Sequence, residues 1–179
     1  MIVGHLGVAA AARSAWRRVS LPWLVVASVA PDVVDVTLAL AGVCNPYGLF
    51  SHTIPAAALL AAVIGGAALL VTGSRGTALA SGLMVLLHLP PDLVTGHKIF
   101  WPGGEMVGLN VYSRPLLDFL IEAPMLVIGW WLLRRTRGAP RWATSGLVLV
   151  ALLAGQGTLD VVSRRGVKPS ACALPERLP

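Results

Sequence analysis

This chain is poor in charge. Of its 179 residues only 12% are Asp, Glu, Lys or Arg and 56% are hydrophobic, whereas soluble domains carry roughly 25% charged residues. Residues 36–74 contain no Asp, Glu, Lys or Arg at all. Too few polar side chains remain to clothe a soluble globule, which excludes that class. A bilayer core about 30 Å thick needs roughly 20 apolar residues per helical span, and the chain offers such stretches repeatedly. The expected fold is all-α: a polytopic transmembrane helix bundle of about five spans plus a short N-terminal helix. It should form a single membrane-embedded domain over residues 1–165, followed by a disordered, proline-ended tail over 166–179.

Other absences narrow the function. No G-x-S-x-G nucleophile elbow occurs. No H-E-x-x-H helix occurs, and Gly73-Ser74-Arg75-Gly76 lacks the Lys-Ser/Thr ending of a P-loop and reads as a hairpin turn. The net charge is +6, but helix-turn-helix, zinc-finger and aromatic-basic patterns are missing, so nucleic acid is not an expected partner. The basic residues instead form short runs between apolar segments: Arg13, Arg17 and Arg18; Arg134, Arg135, Arg137 and Arg141; Arg164, Arg165 and Lys168. These read as helix-end anchors against anionic headgroups, with the lipid bilayer as the partner. The two cysteines, Cys44 and Cys172, have no metal-type spacing and read as ordinary thiols, with a disulfide as the alternative. The N-terminus does not read as a signal peptide, because its basic residues follow the apolar stretch.

Six helical segments are expected, at about 3–18, 22–43, 54–72, 77–89, 115–133 and 143–162. Pro31 and Pro124 fall inside the second and fifth, which a membrane helix tolerates when neighbours satisfy the freed carbonyls. Asn45-Pro46-Tyr47-Gly48 and Thr72-Gly73-Ser74-Arg75-Gly76 are turns, and residues 96–114 form the longest connection.

If every segment crosses, the starts of helices one, three and five share a side with the ends of two, four and six. The ionisable residues follow that alternation. His5 starts the first helix, Asp32 and Asp35 lie from the middle toward the end of the second, and His52 precedes the third. His88, Asp92 and His97 end the fourth, Asp118 and Glu122 start the fifth, and Asp160 ends the sixth. All can therefore meet in one leaflet half. The arginines at 13–18, 75 and 134–141 fall on the opposite side, which the positive-inside rule makes cytoplasmic, although the basic tail after Arg164 runs against that assignment.

Ionisable groups in membrane helices cost a few kcal/mol each and are functional by default. Imidazoles and carboxylates are the ligands of divalent ions, and clustered carboxylates repel one another without cations. Asp32 and Asp35 (i, i+3) share a helix face, as do Asp118 and Glu122 (i, i+4). His88 and Asp92 are also four apart, but Pro90 and Pro91 lie between them, so proximity is expected without regular helical geometry. Plainer roles remain open for each residue. Asp32 could cap a helix restarting after Pro31, and His97 could be a loop residue beside Lys98. Asp118 and Glu122 could pair with Arg114, and Asp160 with Gln156 could be bundle glue.

The order of motifs carries a resemblance. Val3-Gly4-His5-Leu6 is followed by Ala30-Pro31-Asp32-Val33-Val34-Asp35 and Phe50-Ser51-His52-Thr53. Then come His88-Leu89-Pro90-Pro91-Asp92-Leu93-Val94-Thr95 and Phe100-Trp101-Pro102. Over residues 3–122 this resembles the YdjM-type family of bacterial inner-membrane metal-dependent hydrolases, itself distantly similar to zinc-dependent phospholipase C and the S1/P1 nucleases. The resemblance implies His5, His52, His88 and Asp92 as metal ligands. It implies Asp32 or Asp35 as a carboxylate that binds metal or handles the attacking water, and His97, Asp118 and Glu122 as ligands of a second ion. Tyr47, Gly48 and Leu49 stand where the family often has His-Arg-Gly, and Asp118 departs from the His-x-x-x-Glu pair of phospholipase C. The implied protein is a multi-pass inner (cytoplasmic) membrane hydrolase with one or two divalent ions, zinc first, acting on a phosphoester or lipid-like substrate. An ion-coupled transporter and a scaffold with a buried polar cluster are the alternatives, and the sequence does not fix the oligomer.

Overall fold

In the computed structural model, residues 2–163 are described. The expected disordered tail over 166–179, with Arg164, Arg165, Lys168 and Cys172, lies outside the described residues.

Helices α1 (Val3–Ala15), α2 (Leu21–Leu40), α3 (Ile54–Thr72) and α4 (Arg75–Leu86) are followed by a short α5 (Leu89–Thr95) and a two-stranded hairpin. The hairpin pairs β1 (Lys98–Ile99) with β2 (Met106–Val107), antiparallel, Lys98 opposite Val107 and Ile99 opposite Met106. Then α6 (Pro115–Arg134) and α7 (Gly146–Ser163) complete an all-α bundle. α2, α3, the α4–α5 unit and α6 are each long and apolar enough to span a membrane, while α7 is apolar but shorter within the described residues.

Burial is inverted relative to a soluble protein. Leu40, Leu70 and Leu147 are 85%, 87% and 78% exposed, whereas His52, Asp92 and Glu122 are 0% exposed. An apolar surface around a polar interior is the arrangement a hydrocarbon solvent selects. At the far end of α6 the Arg135 guanidinium lies 3.7 Å from the Trp131 ring centroid and that of Arg134 lies 5.3 Å from the Trp130 ring, as interfacial anchors do.

Small residues let the helices approach. A Cβ on Gly7 of α1 would strike the Met125 carbonyl of α6, and one on Gly129 would lie 2.8 Å from the Gly7 Cα, so these backbones pack directly on each other. α3 and α4 form a tight hairpin. Gly73 takes φ +64 after α3, and the Ser74 hydroxyl accepts from Thr77 N at 3.2 Å to cap α4, as the turn chemistry of 72–76 led one to expect.

Two local features refine the sequence reading. The break expected around Pro90-Pro91 occurs at Leu87-His88, between α4 and α5, and both prolines sit in the first turn of α5, where no N–H is required. His88 keeps helical φ −66 and ψ −36, so His88 and Asp92 retain their i, i+4 relation. Cys44, read as an ordinary thiol with a disulfide as the alternative, is disulfide-bonded.

Candidate metal centre

Asp32, His52, His88 and Asp92 each offer a ligand atom, all within 4.8 Å of one another, and these four could hold a metal ion. They come from three parts of the bundle. Asp32 follows Pro31 in α2, His52 precedes the Thr53 cap of α3, and His88 is the N-cap residue of α5, whose first turn holds Asp92. His52, His88 and Asp92 are buried, while the Asp32 side chain is 21% exposed and marks the open side.

The tethers behind the two imidazoles decide what faces the centre. His88 Nδ1 lies 2.7 Å from the Ser28 carbonyl. A carbonyl only accepts, so this nitrogen carries the proton, and in the neutral ring His88 Nε2 presents a lone pair. Ser28 lies in the turn of α2 that Pro31 interrupts. On His52, Nδ1 is 2.7 Å from Ser51 Oγ and 3.4 Å from Asp35 Oδ2. Ser51 Oγ gives its own proton to Asp35 Oδ1, in a short hydrogen bond, and also accepts from Asn45 Nδ2 at 3.1 Å. His52 Nδ1 is therefore the donor there, and His52 Nε2 also presents a lone pair inward. The two Nε2 atoms stand 3.1 Å apart, so in the neutral rings two acceptors face each other, an arrangement that a shared cation relieves.

The carboxylates complete the group. Asp92 Oδ2 lies 3.0 Å from His52 Nε2 and 3.4 Å from His88 Nε2, and Asp32 Oδ1 lies 3.6 Å from each. A tetrahedron with bonds of about 2.0–2.1 Å has edges of about 3.3–3.4 Å, so the spacing of these donors fits a four-coordinate ion. Asp32 Oδ2 is buried and accepts no hydrogen bond, and Asp92 Oδ2 has the Lys98 ammonium at 3.3 Å; the Asp32 oxygen is left to be satisfied by something other than a protein donor.

Not all of the sequence-derived candidates reach this point. His5 stands beside it, donating from Nε2 to Asp92 Oδ1 at 3.1 Å and stacking on His88 with ring centroids 3.6 Å apart. Asp35 lies behind His52, on its Nδ1 side. His97 turns away, its Nδ1 3.4 Å from the Gly108 carbonyl at the hairpin base. Asp118 and Glu122 belong to a second polar group between α1, α6 and α7. There Glu122 Oε2 accepts from Gly4 N at 3.0 Å, and Gln156 Nε2 donates to Glu122 Oε1 at 3.2 Å and to Asp160 Oδ1 at 2.7 Å. Glu122 thus fixes the start of α1, one residue before His5.

Several contributors escaped the sequence reading. Lys98 Nζ lies 2.7 Å from His52 Nε2, 3.3 Å from Asp92 Oδ2 and 3.7 Å from Asp35 Oδ2. Its one signal was the rarity of lysine in this chain. Asn45, which donates to Asp35 and Ser51, read only as a turn former, and the Ser28 carbonyl has no side-chain signature. Tyr112 lies with its hydroxyl 3.5 Å from Asp92 Oδ1. Burial, and then the Asp92 charge, pushes this phenol well above its ordinary pKa, so it remains a donor.

No protein-family model, curated protein or solved structure matches this chain.

Proposed function

We propose that the protein is a membrane-embedded hydrolase that binds a divalent ion, zinc first, through His52, His88, Asp92 and Asp32, and cleaves a phosphoester presented by a lipid-like molecule. One observation carries the reading: two imidazole lone pairs, fixed by acceptors behind them, converge at 3.1 Å beside two carboxylates inside an apolar bundle. It also agrees with the resemblance to the YdjM-type membrane hydrolases, and a bacterial inner membrane is the proposed location.

A divalent ion at this point would supply Lewis acidity and activate water near neutral pH. Asp32, on the open side, is the carboxylate placed to take a proton from the attacking water and return it to the leaving oxygen as the phosphorus–oxygen bond breaks. Asp35 is unsuited to that task, since its oxygens are engaged by Ser51, Asn45 and His52. An apolar groove of about 460 Å³ lies along α2 and α3, lined by Val34, Leu49, Phe50, Thr53, Leu59 and Val63. Val34 and Thr53 are the chain neighbours of Asp35 and His52, so a hydrocarbon chain lying there would run close in sequence to the site.

Sidedness follows from two features. Cys44 is disulfide-bonded and follows the site end of α2, and disulfides persist in oxidising compartments. The arginines near the opposite helix ends are those the positive-inside rule keeps in the cytoplasm. Both support the reading that the centre faces the non-cytoplasmic side.

The test is metal analysis of detergent-purified protein before and after chelation, for the wild type and for His52→Ala, His88→Ala and Asp92→Ala. Stoichiometric zinc in the wild type and its loss from all three variants is expected. Full retention of metal in the three variants would refute the ligand assignment, and a metal-free wild type that cannot be loaded would favour a scaffold.

A further inference from the structure

Lys98 is not accounted for by a metal-binding group alone. Its ammonium has no lone pair to give a cation, yet it is the nearest positive charge to the ligand atoms, within 2.7 Å of His52 Nε2 and 3.3 Å of Asp92 Oδ2. Its position is built into the fold. β1, which carries it, is paired with β2, the carbonyl of Phe100 accepts from Ile54 N at 2.8 Å, and Asn110 N bonds the Gly96 carbonyl at 2.9 Å. The hairpin is thereby pinned both to the start of α3 and to the end of α5.

We infer that the centre holds one divalent ion and that Lys98 serves as its second positive charge, binding the anionic oxygen of the substrate, a phosphoryl group. The inference rests on the proposed metal site and adds the residue that selects the substrate's charge. Three points support it.

The first is charge. As carboxylates, Asp32, Asp35 and Asp92 bring three negative charges to the site, and one divalent ion leaves a net negative charge that would repel a phosphate. The Lys98 ammonium, 3.3–3.7 Å from two of these carboxylates, cancels it. At such distances opposite charges interact strongly even at an intermediate dielectric.

The second is the supply of ligands. The residues from which a second ion would be expected to draw, His97, Asp118 and Glu122, are directed elsewhere, to the Gly108 carbonyl and to the α1–α6–α7 group. Among the described residues, Asp32, His52, His88 and Asp92 are the one set of convergent metal-type ligands.

The third is competition for one lone pair. His52 Nε2 can accept from Lys98 or ligate a cation, but not both. A cation held by His52 therefore releases the Lys98 ammonium, already next to the ion, for the nearest anionic oxygen. Lysine binds phosphate as a point charge with three donors, without the paired geometry of arginine.

The test uses full-length protein loaded with Co2+, whose visible spectrum reports its coordination, titrated in detergent with inorganic phosphate. In a separate arm, Co2+-loaded protein is placed in nanodiscs with and without phosphatidate. The wild type should bind one Co2+ per chain and respond to phosphate, phosphatidate or both, which tells a soluble phosphate from a lipid headgroup as the source. Lys98→Met should keep one Co2+ and bind the responding ligand at least about tenfold more weakly, equivalent to about 1.4 kcal/mol, and Lys98→Arg should restore most of the affinity. Two ions per chain, an unchanged response in Lys98→Met, loss of Co2+ from Lys98→Met, or a wild type that responds to neither ligand would each overturn the inference while leaving the four-ligand site intact. A wild type that binds no metal at all would instead end both readings, and it is recognised by metal content before any titration.

Discussion

Replacing Asp35 by Asn separates two roles that the sequence leaves merged. Asp35 was a candidate ligand or base, but its Oδ2 lies 3.4 Å from His52 Nδ1 and its Oδ1 accepts from Ser51 and Asn45. It therefore orients a ligand rather than being one. A carboxylate behind a histidine fixes the tautomer and raises the basicity of the nitrogen that faces the metal, and losing such a partner typically costs 10- to 100-fold in metal affinity, about 1.4–2.7 kcal/mol. Asp35→Asn keeps the shape and all four direct ligands, so a weakening in that range is expected. Asp32→Asn, which removes a direct ligand, should weaken binding further. Competition against a chromophoric zinc chelator, on detergent-purified protein at fixed pH, measures both. Affinity unchanged in Asp35→Asn would refute the orienting role, and a loss equal to that of Asp32→Asn would return Asp35 to the ligands.

Glu122→Gln should leave the metal content per chain unchanged but lower stability by about 1–3 kcal/mol, because its amide faces the donors Gly4 N and Gln156 Nε2 with only one acceptor oxygen; loss of metal in a folded variant would make Glu122 a ligand after all. For sidedness, a membrane-impermeant maleimide applied to intact cells should label Glu105→Cys, exposed in the site-side hairpin, and not Arg137→Cys, exposed at the opposite end. The reverse pattern would place the centre in the cytoplasm.

Much of the architecture was legible because a bilayer imposes its own pattern. The apolar run at 54–72 gave the bounds of α3, and Thr72-Gly73-Ser74 gave the turn that follows it, since turn residues mean the same thing in lipid and in water. The alternation of helix direction alone brings His52, His88 and Asp32 to one depth, where the structure has them together. What the sequence could not show was direction within that depth. Asp32 and Asp35 share a helix face by spacing, yet one faces His88 and the other sits behind His52, because Asn45 and Ser51 of the following turn claim Asp35. Prolines 90 and 91 read as a break, although proline in a first turn starts a helix as readily as it ends one. Lys98 was hidden by residing in a loop whose hairpin pairing, two residues on each strand, is too short to leave a periodic signal.

The arrangement of tethers also bears on whether such a centre is structural or catalytic. Three of the four ligands are held from behind. His52 is held through Ser51 and Asp35, His88 through the Ser28 carbonyl, and Asp92 through His5 and Tyr112 on its Oδ1. Asp32 has no such support among the described residues: its Oδ1 meets only the two imidazoles, its Oδ2 accepts no hydrogen bond, and its side chain is the most exposed of the four. A structural metal site fixes all four ligands and closes around the ion, whereas a catalytic one keeps three protein ligands and leaves a position for water or substrate. Three tethered donors and a fourth, untethered ligand at the open side that can yield its position to water, beside a lysine, match the second pattern proposed above. A scaffold would gain nothing from leaving Asp32 untethered, since a buried carboxylate without fixed partners is a cost in a bilayer, and that cost is explicable where the carboxylate must change partners during a reaction.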